Sequence, residues 1–263
     1  MHERERWRAI LMALQNHQVV TVRALEQRLQ SSPATIRRDL SQLESLGKLR
    51  RVHGGAESVD PGGPRHLVGH EGFEQARAVQ TRQKRAIARY AAAMNVDGEP
   101  IIIDGGSTTF MMVEFIQDRS LQVLTNSFPI ADALFRSGRT RVLVPGGEIY
   151  REQNVILSPF DDGVLQSFRA ARMFSGAQAI RQQGLMQSDP LLVQAEQKLM
   201  EQAEQLVVLV DSSKFRQIAS LILCPLKRID VLITDTGAPR DTLDMLKTAG
   251  VEVVLVEPDE AGA

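Results

Sequence analysis

Apolar positions in the first fifty residues recur with helical spacing. Trp7, Ile10, Leu11 and Leu14 form one stripe. Val22, Leu25 and Leu29 form a second, behind Thr21, a residue suited to capping a helix. A third stripe runs through Ile36, Leu40, Leu43 and Leu46 at spacings of four, three and three. Ser32 before it is a good N-cap, and Pro33 suits the first helical position, where its missing N–H costs nothing. Gly47 suits the exit. The opposite face of this helix carries Thr35, Arg37, Arg38, Ser41 and Ser45, forks and short hydroxyls that suit phosphates and base edges. Lys48-Leu49-Arg50-Arg51-Val52 then reads as a strand. Three short helices and a basic strand predict a winged helix-turn-helix over residues 1–57.

Residues 58–72 hold Pro61, Gly62, Gly63, Pro64 and Gly69, a composition that breaks regular structure and predicts a linker. One long helix is expected from Phe73 to Met94, with Ile87, Tyr90, Ala91 and Met94 on its inner face. The pattern then changes to short, nearly continuous apolar runs. These are Pro100–Ile103, Leu121–Leu124, Val142–Val144, Met173–Phe174, Leu206–Val210, Val231–Ile233 and Val251–Val256. Such runs suit strands buried on both faces. Amphipathic stretches lie between most of them, at Thr108–Gln117, Ile130–Ser137, Leu192–Gln205 and Asp241–Thr248. The alternation predicts an α/β domain over residues 73–263, with an open, mostly parallel sheet and helices on both faces. Gly146 to Ser158 reads as an irregular or hairpin insert.

Charge sharpens this division. The formal net charge is −1, yet residues 1–57 hold ten Lys/Arg against six Asp/Glu, so a +4 unit precedes a remainder carrying −5. The positive unit suits a phosphate backbone, and the acidic remainder would be repelled from it. Cys224 is the one cysteine, which excludes an intrachain disulfide and suits a buried structural thiol in a reducing compartment. No apolar run approaches the ~18–20 residues of a membrane span, and the charged start MHERERW does not read as a signal peptide; a cytoplasmic protein is expected. His66 and His70 have a metal-ligand spacing without other ligands around them, so neither a metal nor a cofactor is expected.

In open α/β sheets, ligands bind at the carboxyl ends of the strands. The first of these ends reads Asp104-Gly105-Gly106-Ser107-Thr108-Thr109, where glycines permit close backbone approach and hydroxyls follow. The loop lacks the GKS/T of a nucleotide-binding loop and the third glycine of a dinucleotide fingerprint. By itself it is compatible with an ordinary tight turn between strand and helix. Thr125-Asn126-Ser127, Pro145-Gly146-Gly147-Glu148, Ser175-Gly176 and Asp211-Ser212-Ser213-Lys214 follow later strands. Together they predict a small-molecule site, with Lys214 bringing a positive charge suited to a phosphorylated ligand.

Thr35-Ile36-Arg37-Arg38-Asp39-Leu40, Leu43-Glu44 before Gly47 and Leu49, and Arg51-Val52-His53-Gly54-Gly55-Ala56 resemble the DNA-binding domain of the DeoR family of bacterial sugar-metabolism repressors. The resemblance continues through most of the chain. It implies that the second domain resembles sugar-phosphate isomerases in fold and binds a phosphorylated sugar that weakens DNA binding. By position, Gly105 to Thr109 and Lys214 would hold the phosphate. Asn126, Gly147 and Asp211 would line the sugar, Asp104 would belong to the same effector site, and Asp189, Glu196 and Lys198 would face it from the other side. Ser188-Asp189-Pro190, Ala195-Glu196-Gln197-Lys198, Val210-Asp211-Ser212-Ser213-Lys214 and Leu157-Ser158-Pro159 resemble the ascorbate-operon repressor branch. That branch implies L-ascorbate 6-phosphate or a related sugar-acid or polyol phosphate.

Under this reading the partners are double-stranded operator DNA, the effector and a second copy of the chain, as a homodimer or homotetramer. Arg37 and Arg38 would reach bases or phosphates, Ser32, Thr35 and Ser41 would position the helix, and Arg50, Arg51 and His53 would grip the DNA from the wing. Effector binding would act through oligomer geometry or the helix after the linker. The competing reading is a sugar-phosphate isomerase-like enzyme with a fused DNA-binding module, using Asp104, Asp211 or Glu196 as a base. Catalysis does not need the basic module, so a non-enzymatic regulator is the stronger expectation. A ligand-free architectural DNA protein would leave the polar strand ends unexplained.

Overall fold

A computed structural model describes residues 3–16, 19–29, 31–52, 54–57, 70–158 and 163–259. The chain divides into two compact units, Met1–Val68 and Gly69–Ala263. Among the described residues no helix is long and apolar enough to cross a membrane. No group of three or more His, Cys, Asp or Glu among them is placed to hold a metal ion. His66 lies outside the described residues.

The first unit contains α1 (Glu3–Asn16), β1 (Val19–Thr21), α2 (Val22–Leu29), α3 (Pro33–Ser45), β2 (Arg50–Val52) and β3 (Gly55–Glu57). Its strands form an antiparallel sheet in the order β1-β3-β2, so the expected wing strand is one arm of a hairpin. β1 was not legible as a strand, being three residues long. Gly55 allows the pairing: a Cβ there would lie 2.0 Å from the Val20 carbonyl oxygen. Ile10, Leu14, Leu25, Leu29, Ile36, Leu40, Leu43 and Leu49 close over one core. Leu46 does not join it and is 57% exposed, because the helix ends there. Gly47 has φ 66°, and the Lys48 and Gly47 amides donate to the Leu43 and Glu44 carbonyls at 2.9 and 2.8 Å. This pairing satisfies the last turn and sends the chain toward the wing.

The second unit begins with α4 (His70–Ala78) and α5 (Thr81–Ala93), followed by β4 (Pro100–Ile103), α6 (Ser107–Phe110), α7 (Val113–Ile116), β5 (Gln122–Leu124), α8 (Phe128–Ser137) and β6 (Arg141–Leu143). A hairpin of β7 (Glu148–Tyr150) and β8 (Val155–Leu157) leads to α9 (Gly163–Ser167) and β9 (Ala170–Ser175). Then come β10 (Ala179–Arg181), β11 (Gly184–Gln187), α10 (Pro190–Met200), β12 (Ala203–Leu209), β13 (Leu221–Cys224), β14 (Val231–Asp235), α11 (Arg240–Thr248) and β15 (Glu252–Val256). Seven strands form one wholly parallel sheet in the order β15-β14-β12-β9-β4-β5-β6. β10, β11 and β13 form a separate antiparallel sheet. Side chains alternate across the large sheet. Ile102 enters one core, while Ile101 and Ile103 enter the other, each contributing roughly 1.5–3 kcal/mol by burial.

Three expected helices differ from the observed ones, the shortest being Thr108–Gln117, which is split into α6 and α7 at Met111-Met112. The stretch Phe73–Met94 is two helices, broken at Val79-Gln80, with Gln80 left-handed at φ 55°. Its inner face uses Ile87, Ala88, Ala91 and Ala92, while Tyr90 is 44% exposed. The helix expected over Leu192–Gln205 ends at Met200, because Ala203 already pairs with Ala170 as β12 begins. Tertiary pairing overrides helical propensity there. Cys224 is buried in β13, and burial pushes its thiol up to about 11, consistent with a structural role.

Asp39, in the middle of α3, is a buried charge that accepts hydrogen bonds from Arg6 Nε at 2.8 Å and Trp7 Nε1 at 3.1 Å. It pins α1 onto α3. Removing one member of a buried ion pair leaves the other uncompensated, so Asp39→Ala should cost the first unit about 3 kcal/mol. The single tryptophan is Trp7, so urea unfolding followed by its fluorescence reads this unit selectively. An unchanged midpoint would refute the pinning role.

Candidate functional site

The face of α3 away from its core carries the expected polar set. Ser32 Oγ accepts the Thr35 amide at 3.2 Å and lies 2.9 Å from the Thr35 hydroxyl. Arg37, Arg38 and Ser41 are exposed. Arg51 from the wing donates through Nη1 to Ser41 Oγ at 3.0 Å, and its amide donates to Glu44 Oε1 at 2.8 Å. These bonds tie the wing to the helix. A concave cavity of about 480 Å³ is lined by Arg23, Arg37, Arg51 and Glu26, with Pro33 and Gly54. Three arginines therefore surround one groove between α2, α3 and the wing. Arg37 lines it; Arg38 does not, and Arg50 is exposed outside it. His53 lies outside the described residues. Arg23 was not anticipated, although a basic residue in the first turn of the helix before the recognition helix is a readable signal for phosphate contact.

The second site forms where the strand order reverses. β5 and β6 lie on one side of β4, and β9 and the later strands lie on the other. At the ends of β4 and β9, Ser175 Oγ donates to Asp104 Oδ2 at 3.1 Å. The Gly105 amide donates to Asn126 Oδ1 at 3.2 Å, linking β4 to β5. Asp104 is 2% exposed, and burial raises its carboxyl to about 6, with the Gly105 amide, Ser175 and Asn126 pulling it back. Gly105, Gly106 and Ser107 are half-buried, and Thr108 is buried. Thr109 spends its hydroxyl on the Gly106 carbonyl at 3.0 Å, which makes it a structural member of the loop. Gly105 also has a packing reason, since a Cβ there would meet Val155 Cγ1 at 2.8 Å.

Glu196 on α10 is 3% exposed. Gln187 donates to its Oε1 at 2.7 Å, while its Oε2 is buried without a hydrogen-bond partner. Burial first, then the charges of Asp104 and Asp189, push its carboxyl well above the usual range. Asp189 caps α10 through the Leu191 amide at 2.8 Å and accepts the Tyr150 hydroxyl at 2.8 Å. Tyr150, which sequence reasoning missed, thereby joins the β7–β8 hairpin to α10. Burial and that bond raise its phenol to about 12. A cavity of about 440 Å³ lies here, lined by Asn126, Tyr150, Leu157, Ser158, Gln194 and Lys198 among others. Gly147 does not line it. Its glycine is required by the hairpin, because a Cβ would lie 2.1 Å from the Leu157 carbonyl oxygen.

Asp211 is buried and caps the turn Ser212–Phe215 through the Ser213 amide at 3.0 Å. Lys214 in that turn is half-buried. Sequence reasoning also overlooked Lys84, only 3% exposed on α5. Burial pulls its pKa below the usual lysine range, against the attraction of Asp211 and with the repulsion of Lys214. The signal was present, since Lys84 precedes Ile87, Ala88 and Ala91 at the spacing of a buried stripe. The edge thus combines two lysines and a Gly/Ser/Thr loop with the buried carboxyls Asp104, Asp211 and Glu196.

The pKa of Asp104 has a consequence for stability. Between its ordinary value of 3.8 and about 6, the folded chain holds a proton that the unfolded chain has released. Stability from this group is therefore present at low pH and lost as pH rises through that window. Asp104→Asn, which cannot ionise, should gain stability relative to the native chain between pH 4 and pH 7. Urea midpoints at three pH values test this, and a constant difference would contradict it.

The DeoR-like helix-turn-helix domain matches residues 6–61, and the DeoR C terminal sensor domain matches residues 79–236. The HTH-type transcriptional regulator UlaR of Shigella dysenteriae serotype 1 is 34% identical over 257 residues, covering 97% of this chain and all of that protein. UlaR of Escherichia coli K12/DH10B matches at the same identity and coverage. Among solved structures, ribose 5-phosphate isomerase A from Methanocaldococcus jannaschii aligns with a TM-score of 0.37 at 18% identity, over 50% of this chain and 53% of that one. The translation initiation factor eIF-2B of Pyrococcus horikoshii OT3 aligns with a TM-score of 0.38 at 18% identity, over 81% and 72%. Likenesses of this size leave function to the chain's own residues. The sensor match spans more than half of the sequence and the UlaR match nearly all of it, and this chain belongs to the DeoR family of helix-turn-helix transcriptional regulators.

Proposed function

We propose that this regulator represses a sugar or sugar-acid catabolic operon and leaves its operator when a phosphorylated sugar or sugar acid binds the second unit. In this reading residues 1–57 bind DNA, 58–72 link and 73–263 bind effector, in a cytoplasmic homodimer or homotetramer. The observation that carries the effector assignment is the pairing of opposite chemistries at one sheet edge. Lys214 and Lys84, with Gly105, Gly106 and Ser107, suit a phosphate. Asp104, Glu196 with its unpartnered Oε2, and Asn126 suit hydroxyl groups, which both donate and accept. Lys198 and Tyr150 in the adjoining cavity suit the remainder of the ligand. The 34% identity to UlaR and the resemblance of residues 188–198 to the ascorbate-operon branch support a sugar-acid phosphate such as L-ascorbate 6-phosphate.

On the DNA side, Arg37, Arg23 and Arg51 hold the backbone from one groove, while Arg38 is the exposed fork left for base edges. Ser32, Thr35 and Ser41 set the helix, and Arg50 and His53 extend the wing contact. Arg38→Ala should raise the operator Kd roughly ten-fold or more and relax sequence preference. Arg23→Ala should weaken all sequences evenly and reduce the slope of log affinity against log salt by about one. Fluorescence anisotropy over a salt series separates the two. Indifference of both variants would overturn the assignment.

For the effector, the test is release of bound operator DNA by a panel of sugar and sugar-acid phosphates at fixed salt. One phosphorylated compound should release it, and its unphosphorylated parent should not. Lys214→Met should keep DNA affinity and need roughly ten-fold or more of that compound. DNA binding that no compound disturbs would refute a phosphosugar effector.

A further inference from the structure

Lys84 has two neighbourhoods. Toward the sheet edge it feels Asp211, assigned to the sugar, and Lys214, assigned to the effector's phosphate. In the other direction its Nζ donates a hydrogen bond to the carbonyl of Ala76, in the last turn of α4. That bond spans the break between α4 and α5, where Gln80 holds the left-handed conformation and provides no side-chain cap for α5. Thr81 adds a second fastening, its hydroxyl donating to the Arg77 and Ala78 carbonyls at 3.1 Å each. The end of α4 is therefore held down by two side chains of α5, one of which is a buried cation.

α4 has a second connection to the same site. Phe73 meets Phe110 edge-to-face at 5.5 Å, and the Arg77 guanidinium lies 4.4 Å from the centre of the Phe110 ring. Phe110 ends the helix that opens with the Ser107–Thr109 hydroxyls. α4 is also the first described element after residues 58–69, through which the chain reaches the DNA-binding unit. A buried ammonium has few alternatives to its present acceptor. A neutral carbonyl is a weaker partner for it than a phosphate oxygen, because only the phosphate brings a full opposite charge to the ammonium.

We infer that Lys84 is an effector contact that exchanges partners, releasing the Ala76 carbonyl to take the phosphate of the ligand and so unfastening α4 at the Gln80 junction. The inference rests on the effector reading above. It adds the residue that senses the anion and the element that answers. Ligand-free, Lys84 closes the α4–α5 corner. With an anion beside Lys214, the same ammonium is drawn to the sheet edge, and the last turn of α4 loses a fastening. The change reaches the linker along the backbone of α4.

The test uses the full chain and inorganic phosphate as probe in chloride buffer, with affinity from titration calorimetry and amide exchange read by mass spectrometry over residues 70–80. Phosphate should speed exchange in that segment several-fold in the native chain. Lys84→Met keeps the length and removes the charge. It should bind phosphate roughly ten-fold or more weakly and show fast exchange in residues 70–80 without phosphate. Phosphate binding with unmoved exchange in α4 overturns the partner exchange, while the effector reading stands. Equal phosphate affinity in Lys84→Met overturns the contact itself. A native chain that binds neither phosphate nor any sugar phosphate overturns this inference and the effector reading together. If the variant does not fold, the native exchange measurement decides alone.

Discussion

The parallel sheet imposes the constraint from which the rest of the second unit follows. Because all seven strands run the same way, their carboxyl ends share one edge. Each strand must then be left by a loop that turns back over the sheet. The order reverses between β4 and β9, so the loops after these two strands diverge to opposite sides and open a crevice. Asp104 and Ser175 meet across it. Neither residue has a neighbour in sequence that explains its burial. Their contact exists because β4 and β9 are paired in register, Ile103 against Phe174.

The crevice concentrates buried charge of both signs. Asp104 and Glu196 repel one another and are both driven toward the protonated form, while Lys84 is driven the other way. A fold optimised only for stability would fill such a space with apolar side chains. Buried ionisable groups gathered in one crevice are a pattern that functional sites share, and they support the effector reading proposed above. Among the described residues of the first unit the same trade is made at Asp39, whose carboxylate accepts hydrogen bonds from Arg6 and Trp7. The buried charge at Asp39 organises a core; the crevice group, in the reading proposed above, receives the effector.

The two units also differ in how their surfaces are built. On α3 the functional side chains project from one rigid helix, and the wing is tied to it by Arg51. At the sheet edge they come from the ends of separate elements. The hairpin is joined to α10 by Tyr150 and Asp189, and α4 is joined to α5 by Lys84 and Thr81. Loops and element ends of this kind move at lower cost than a packed helix face. A rigid reader joined to a deformable sensor is what a ligand-dependent switch requires.

The amino-acid sequence by itself determined the helical stripes of the first unit, the caps at Ser32 and Gly47, the positions of all seven parallel strands, and the polar strand ends around Asp104, Asn126 and Asp211. Each of these depends on backbone periodicity or local hydrogen bonding, which a few consecutive residues encode. The break at Gln80, the early end of α10, the pairing of Tyr150 with Asp189 and the groove shared by Arg23, Arg37 and Arg51 were decided by tertiary structure. So were the packing reasons for Gly105 and Gly147, at 2.8 Å from Val155 and 2.1 Å from Leu157. Lys84 stands between the two classes. Its place on a buried helical stripe was written in the spacing, but which carboxylate, which lysine and which carbonyl it meets depends on strand order. Periodicity fixes the direction in which a side chain points along its own element. Only the long-range pairing of elements determines what it finds there.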